Sequence, residues 1–170
     1  MEKKMMNPRN KDEYKDEVLS LRRVTKVTKG GRTLHFSAFV AVGDGKGKVG
    51  IGSGKSSEVV EAIKKARMQA VKNVKTIEIV DGRTISHDMI GEAGAARVLL
   101  RPAKAGTGII AGGPVRVVLE LAGFKDVVSK SLGSNTKINT SKATMKALTS
   151  QRSAKHIAEL RGKTVEEILG

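Results

Sequence analysis

Gly45-x-Gly47-x-x-Gly50 has the glycine spacing with which a strand-to-helix turn holds a dinucleotide pyrophosphate. That chemistry needs a helix opening at the loop, so that its first amides face the phosphate. Here VGIGSG follows and helical periodicity waits until about Ser56, so the spacing is set aside. Gly54-Lys55-Ser56 ends like a P-loop, but the position five before Gly54 is Val49 where a glycine is required. Gly106 to Pro114, GTGIIAGGP, stands ahead of a helical pattern and could cradle phosphate. No base, nucleophile or metal ligand lies near it, which favours glycines that allow tight packing or partner contact. His35, His87 and His156 are not at metal-ligand spacing, and the chain has no cysteine. No catalytic residue, metal site or cofactor is expected.

The residues with a clear chemical purpose are cations. From Arg22 to Val42 the chain carries Arg22, Arg23, Lys26, Lys29 and Arg32 without one acid. Such a run is often only a solvated face. Clustered around Gly30-Gly31, however, it makes a slim arm whose backbone and cations can approach two phosphate backbones closely. Lys55 joins these as a candidate RNA contact. The cation excess is uneven: Met1 to Lys75 holds 18 Lys+Arg against 8 Asp+Glu, and Thr76 to Gly170 holds 14 against 9. The first half is the stronger candidate for phosphate contact.

Several elements must position these groups. Met1 to Tyr14 mixes both charge signs and reads as the start of a mobile tail, taken as 1–15. Val18 to Thr28 and Leu34 to Val42 read as strands turned at Gly30-Gly31, and GDGKGK joins the second to Lys48-Ile51. The result is a three-stranded antiparallel sheet. From Ser56 the period changes to about 3.6, with Val59, Val60, Ile63, Ala66, Ala70, Val71 and Val74 on one helical face, and Ser56 or Ser57 as N-cap. Asp81-Gly82 is a turn signal taken as a domain boundary, separating 16–80 from 83–158 with an extension over 159–170. Thr84 to Ile90, Arg97 to Leu100 and Asp126 to Leu132 read as strands. Pro114 suits the first turn of a helix closed by Gly123, although the valines of VRVVLELA also permit a strand. Asn139 or Thr140 is a candidate cap for a helix to about Thr149, Ala154 to Leu160 continues helically, and Thr164-x-x-Glu167 is a capping-box pattern.

Composition narrows the partner. The chain has 170 residues, a formal charge of +15 and a pI near 10.2, so its surface attracts polyanions. With three Phe, one Tyr and no Trp it has little with which to stack bases, and Phe36, Phe39 and Phe124 read as core. Recognition by RNA shape and phosphate follows. No apolar run approaches a membrane span and the start lacks a secretory segment, which reads as a soluble, unexported protein with no membrane contact. Its charge also argues against a homo-oligomer.

The run RVTKVTKGGRTLHFSAFVAVGDGKGKVGIGSGK followed by EVVEAIKKA, and AARVLLRPAKAGTGIIAGGPVRVVLELAGFKDV followed by SLGSNTKIN, resembles the bacterial small-subunit ribosomal protein five family from about Asp16 to Leu148. The resemblance implies an α+β protein. Its N-terminal domain would be related to double-stranded-RNA-binding domains, a three-stranded antiparallel sheet plus one helix, and its C-terminal domain an α/β sandwich with a left-handed βαβ crossover. It further implies a structural, non-enzymatic role in the cytoplasmic ribosome. Val24 to Thr33 matches the family loop that reaches ribosomal RNA near the decoding region and the spectinomycin site, which singles out Lys26, Lys29, Gly30, Gly31 and Arg32. The implied partners are small-subunit ribosomal RNA, ribosomal proteins four and eight, and messenger RNA where it enters the subunit. Arg101, Lys104 and Arg116 are weaker candidates for a protein interface or for RNA.

The sequence departs from the family pattern at Ser86, at Glu92-Ala93 and in SNTKINTSKAT, around Lys137 to Lys142. Two other readings compete. A nucleotide-binding enzyme of the small-molecule kinase fold group would use GTGIIAGG, but lacks the proline- and serine-containing glycine loop of those kinases. A free double-stranded-RNA regulator would have a pool away from ribosomes.

Overall fold

The computed structural model describes residues 14–169. The expected tail therefore falls outside the described residues, apart from Tyr14 and Lys15. Lys15 already belongs to β1 (Lys15–Thr28), a longer strand than the alternation from Val18 suggests. β1 pairs antiparallel with β2 (Gly31–Gly43), which pairs with β3 (Lys48–Ser56), and the two-residue β4 (Lys75–Thr76) adds a fourth strand at the β3 edge. The expected three-stranded sheet thus has four strands.

The first helix, α1 (Val59–Lys72), starts later than its serines imply: Ser56 is the last residue of β3, and Glu58 stands at the N-cap without a side-chain cap bond. Its packing face is largely the expected one: Ala66 and Ala70 are buried and Ile63, Val71 and Val74 pack partly buried on the same cluster, but Val60 is exposed and Ala62 is buried in addition. Glycine explains why alanines suffice. A Cβ on Gly50, Gly52 or Gly54 would overlap α1 backbone at Ala70, at Ala66 and Ala70, or at Ala62 and Ala66. The alternate glycines of β3 and the four-residue alanine repeat of α1 let helix and sheet meet at backbone contact, where larger side chains would hold them apart.

A second sheet comprises β5 (Met89–Ala93), β6 (Ala96–Pro102), β7 (Ile109–Ile110) and β8 (Val127–Ser131) in the order β5-β6-β8-β7, antiparallel except for β7 beside β8. Thr84 to Ile90 is not a strand. Thr84 makes only an isolated bridge to Val80 across a turn in which Asp81 and Gly82 both have positive φ (52° and 65°), and the strand waits for Met89. α2 (Gly113–Ala122) joins β7 to β8, with Pro114 in its first turn and Gly123 closing it in the left-handed region at φ 95°. That settles the helix-or-strand ambiguity of VRVVLELA. α3 (Lys137–Ser150) begins before Asn139, with Thr136 at the N-cap. α4 (Ala154–Arg161) is capped by the Ser153 hydroxyl and runs across the 158/159 division, and α5 (Val165–Leu169) follows the Thr164 hydroxyl, which accepts from the Glu167 amide at 3.3 Å.

The two sheets share a core. On β2, Ala38, Val40 and Val42 face α1, while Phe39 and Ala41 join one buried cluster with Val98, Leu100, Val118, Leu119, Phe124 and Leu148. Phe39 and Phe124 are core residues as expected, and Phe36 packs partly buried against the α1 cluster.

The β2–β3 loop completes this junction. Asp44 Oδ1 accepts from the amides of Lys46 (2.8 Å) and Lys48 (2.9 Å), folding the loop back. The Gly45 amide then donates to Leu121 O at 2.9 Å, and the Gly47 amide to Ala122 O at 2.8 Å. The tempting glycine motif therefore does present amides to a negative pole, namely the last carbonyls of α2, which would otherwise lack partners.

Candidate nucleic-acid interface

The β1–β2 hairpin continues past the rest of its sheet. β3 stops where Ser56 faces Phe36, yet β1 and β2 stay paired out to Thr28 and Gly31. The five β1 residues Val24 to Thr28 extend about 17 Å beyond that point at roughly 3.4 Å per residue. Neither α1 nor a third strand covers this arm. Its two-residue turn is Lys29-Gly30, one position earlier than the glycine pair suggests, with Gly31 as the first residue of β2 at φ 145°. A Cβ on either glycine would meet nothing within 4 Å. The arm end is slim and open.

Strand register sorts the cations by face. Arg22 stands opposite Ser37, itself opposite Lys55, and Lys26 opposite Thr33, so Arg22, Lys26 and Lys55 share one face with His35. Arg23, opposite Phe36, and Arg32, opposite Val27, belong to the other. Arg22, Arg23, Lys26, Lys29, Arg32 and Lys55 are all exposed, and among the described residues none of them is in an ion pair. Their charge is available to a partner.

At the arm's root, Val24, Lys26, His35, Lys55, Ser57 and Lys65 line a cleft of about 630 Å³. The first turn of α1 starts beside it, so the helix dipole adds positive potential there. Lys65 Nζ also donates to Ser56 Oγ at 3.3 Å. Sequence reading missed Lys65 and His35 because one is on a helix and the other on a strand. Only the fold brings them beside Lys26 and Lys55.

The other candidates are placed differently. Arg101 Nε pairs with Asp88 Oδ2 at 2.7 Å, and Arg116 Nε with Glu120 Oε1 at 2.7 Å one helical turn on. Both charges already have partners. Lys104 is exposed, and its carbonyl accepts from the Thr107 amide and hydroxyl in a tight loop. None of these three lies on the arm.

GTGIIAGGP is likewise accounted for by the chain itself. The Gly108 amide donates to Asp126 Oδ1 at 2.9 Å, and Arg83 Nε to Asp126 Oδ2 at 3.2 Å. Asp126 is nearly fully buried. The Gly108 amide above all, helped by Arg83 and opposed by burial, holds its carboxyl below the usual range. Gly112 and Gly113 at the start of α2 have open space beside them, and no side chain caps that helix. Among the described residues, no group of three or more His, Asp or Glu is placed to hold a metal, and no helix is long and apolar enough to cross a membrane.

Comparison with known proteins bears on the same elements. The family model described as "Ribosomal protein S5, N-terminal domain" matches residues 14–78, and "Ribosomal protein S5, C-terminal domain" matches residues 91–161. The chain is 52% identical over 162 residues to "Small ribosomal subunit protein uS5" of Paramagnetospirillum magneticum, covering 95% of this chain and 77% of that one. It is 51% identical over 160 residues to the protein of the same name from Mycoplasmoides gallisepticum, covering 94% of this chain and 71% of that one.

Proposed function

The chain belongs to the ribosomal protein S5 family, and on that premise we propose that its β1–β2 arm and root cleft hold ribosomal RNA near the decoding region. It is a structural constituent of the small subunit of the cytoplasmic ribosome, bound to ribosomal RNA and neighbouring ribosomal proteins, and not an enzyme. The observation that carries the arm reading is its combination of reach and uncompensated charge: exposed cations on both faces, no acid from Val18 to Gly43, and no ion pair among the described residues.

The mechanism is electrostatic. Converging RNA backbones repel one another, and a slim cationic hairpin between them replaces diffuse counterions with fixed charges, so the helices keep one register. The faces divide the work. Arg22, Lys26 and Lys55, with Lys65 in the cleft, address one backbone, while Arg23 and Arg32 address another, and Lys29 at the turn reaches deepest. Gly30 and Gly31 keep the tip thin enough to enter. With so few aromatics, contact is to phosphate and shape, with no base stacking.

On this reading the arm supports assembly and decoding accuracy beside the spectinomycin site. The second sheet and its helices meet ribosomal proteins four and eight, and the basic surface flanks messenger RNA where it enters the subunit. The division into 16–80 and 83–158 separates these tasks at the Asp81-Gly82 turn. Small subunits should be assembled with parent chain or with Lys26→Glu, then washed through a gradient of rising salt. The parent is expected to co-sediment at salt concentrations that release the variant. Release of both at the same salt would contradict an RNA-holding arm.

A further inference from the structure

Asp-Gly occurs at Asp44-Gly45 and at Asp81-Gly82, and Asn-Gly does not occur in the chain. The pair matters chemically because glycine has no Cβ to shield its backbone nitrogen, which can then reach the carboxyl carbon of the aspartate before it. The fold treats the two pairs in opposite ways.

Asp44-Gly45 is locked. Asp44 Oδ1 accepts from the amides of Lys46 at 2.8 Å and Lys48 at 2.9 Å, and the Gly45 amide donates to Leu121 O at 2.9 Å. Hydrogen bonds therefore hold both the carboxyl that would be attacked and the nitrogen that would attack it. Gly123 packs against the Gly45 carbonyl, which keeps the loop from turning to bring the two together.

Asp81-Gly82 is open. The two residues form the tip of a turn closed by the bond from the Arg83 amide to Val80 O at 3.0 Å, with φ values of 52° and 65°. Positive φ at both central positions is the type I′ arrangement that Asp-Gly suits. Both residues are exposed, and a Cβ on Gly82 would meet nothing within 4 Å. Among the described residues, the Asp81 carboxylate has no hydrogen bond or ion pair, and the Gly82 amide has no acceptor. A cleft of about 520 Å³ lies beside the tip, lined by Asp81, Gly82, Arg83, Gly106, Lys125 and Asp126, and it admits water. Lys125 is exposed and, among the described residues, in no ion pair, so its charge favours the anions through which a ring closes.

We propose that Asp81 is a modification site at which the folded chain isomerises itself to isoaspartate, while Asp44 is protected. The Gly82 nitrogen bonds to the side-chain carboxyl carbon of Asp81; the hydroxyl of the protonated carboxyl and the amide proton depart as water, leaving a succinimide ring. Water then adds to the main-chain carbonyl carbon of Asp81 and breaks its bond to the Gly82 nitrogen. The chain now runs through the former side chain, with a free α-carboxylate, one more backbone carbon and unchanged mass. Water is the sole co-reactant. The position gives the change a consequence: the Arg83 carbonyl accepts from the amides of Lys125 at 2.8 Å and Asp126 at 3.0 Å, and Arg83 Nε pairs with Asp126 Oδ2 at 3.2 Å. An extra carbon just before Arg83 displaces it from this seat and loosens the start of β8.

The test is to age the full chain at neutral pH and body temperature in water labelled with heavy oxygen, because each ring opening installs one labelled oxygen. Tryptic peptides 76–83 and 33–46 report Asp81 and Asp44 separately. In the folded chain Asp81 should take up label, and lose cleavage by a protease that cuts before aspartate, at least about tenfold faster than Asp44, whose three hydrogen bonds must break first. In denaturing urea the two rates should agree within about twofold, since the lock is gone. Asp81→Glu, whose longer side chain would have to close a larger ring, should take up no label in its peptide. The aged parent should unfold at lower urea than the fresh parent, and aged Asp81→Glu should match its fresh form. No label at Asp81 in the folded chain, or label in the Asp81→Glu peptide, would overturn the site. Equal folded rates at the two aspartates, or a tenfold ratio that persists in urea, would overturn the protection of Asp44 by the fold. A fully converted chain with the fresh parent's urea midpoint would overturn the loosening of β8.

Discussion

Replacing Gly123 with alanine puts the junction between the two sheets under test. Gly123 closes α2 at φ 95°, where a side chain costs about 1–2 kcal/mol in the left-handed region. A Cβ there would also overlap the Gly45 carbonyl, which is backbone and cannot swing aside. Relief requires the β2–β3 loop to withdraw, which weakens the bonds from Gly45 N to Leu121 O and from Gly47 N to Ala122 O. Each is worth about 1 kcal/mol net. The combined loss is about 3–4 kcal/mol, and at roughly 2–4 °C per kcal/mol for a chain of this size the melting temperature should fall by about 10 °C. Gly30→Ala is the matched control. Its φ is not positive and its added methyl meets nothing, so it should stay within about 0.5 kcal/mol of the parent. The assay is thermal melting followed by circular dichroism, checked by urea titration. If Gly123→Ala melted within about 2 °C of the parent, the loop would not be seated on α2 and the shared core would need another explanation.

Other perturbations have equally definite outcomes. Gly52→Ala forces β3 away from Ala66 and Ala70 of α1, and urea titration should show a loss of at least about 3 kcal/mol, the upper part of the range for overpacking. Asp126 gives a pH signature. Its folded carboxyl is held below the unfolded value of 3.8, so its stabilising contribution is complete above that value and disappears as pH falls through the folded one. Asp126→Asn should therefore be less stable than the parent at pH 7, with the gap in urea midpoint narrowing on acidification to about pH 3. Lys65→Glu, which places an acid in the root cleft, should weaken binding to small-subunit ribosomal RNA at low salt while leaving the melting temperature within about 3 °C of the parent, since among the described residues Lys65 bonds only the exposed Ser56 hydroxyl.

The order of elements was legible where a single physical cause acts locally. The acid-free run around Gly30-Gly31, the turn at Asp81-Gly82 and the Pro114–Gly123 frame of α2 each carry their signal within a few residues. Errors arose where tertiary packing decides. The helical period of α1 puts Ala66 and Ala70 on the packed face together with Val60, but β3 presents Gly50, Gly52 and Gly54 there, and backbone-close contact buries Ala62 with Ala66 and Ala70 and leaves Val60 exposed. Thr84 to Ile90 read as a strand from its apolar content, but Ile85 is buried in the core without strand pairing. Ser56 looked like a cap and is instead the end of β3. Among candidate site residues, the arm cations were visible as a run, whereas Lys65 and His35 join them only through folding. Arg101 and Arg116 are singled out by the family resemblance alone, and the fold pairs them with Asp88 and Glu120. For Arg116 the i,i+4 spacing was there to be read.

On the proposal above, the arm's exposed cations hold ribosomal RNA. The most direct measurement is the salt dependence of binding to small-subunit ribosomal RNA for the parent and for a chain carrying Lys26→Glu, Lys29→Glu and Arg32→Glu together. Each phosphate neutralised contributes about 0.9 to the logarithmic slope on duplex DNA, and RNA should be comparable. The parent is expected to show a steep slope, and the triple variant one shallower by about 2–3 with an unchanged melting temperature. Coincident slopes for the two chains would contradict the claim.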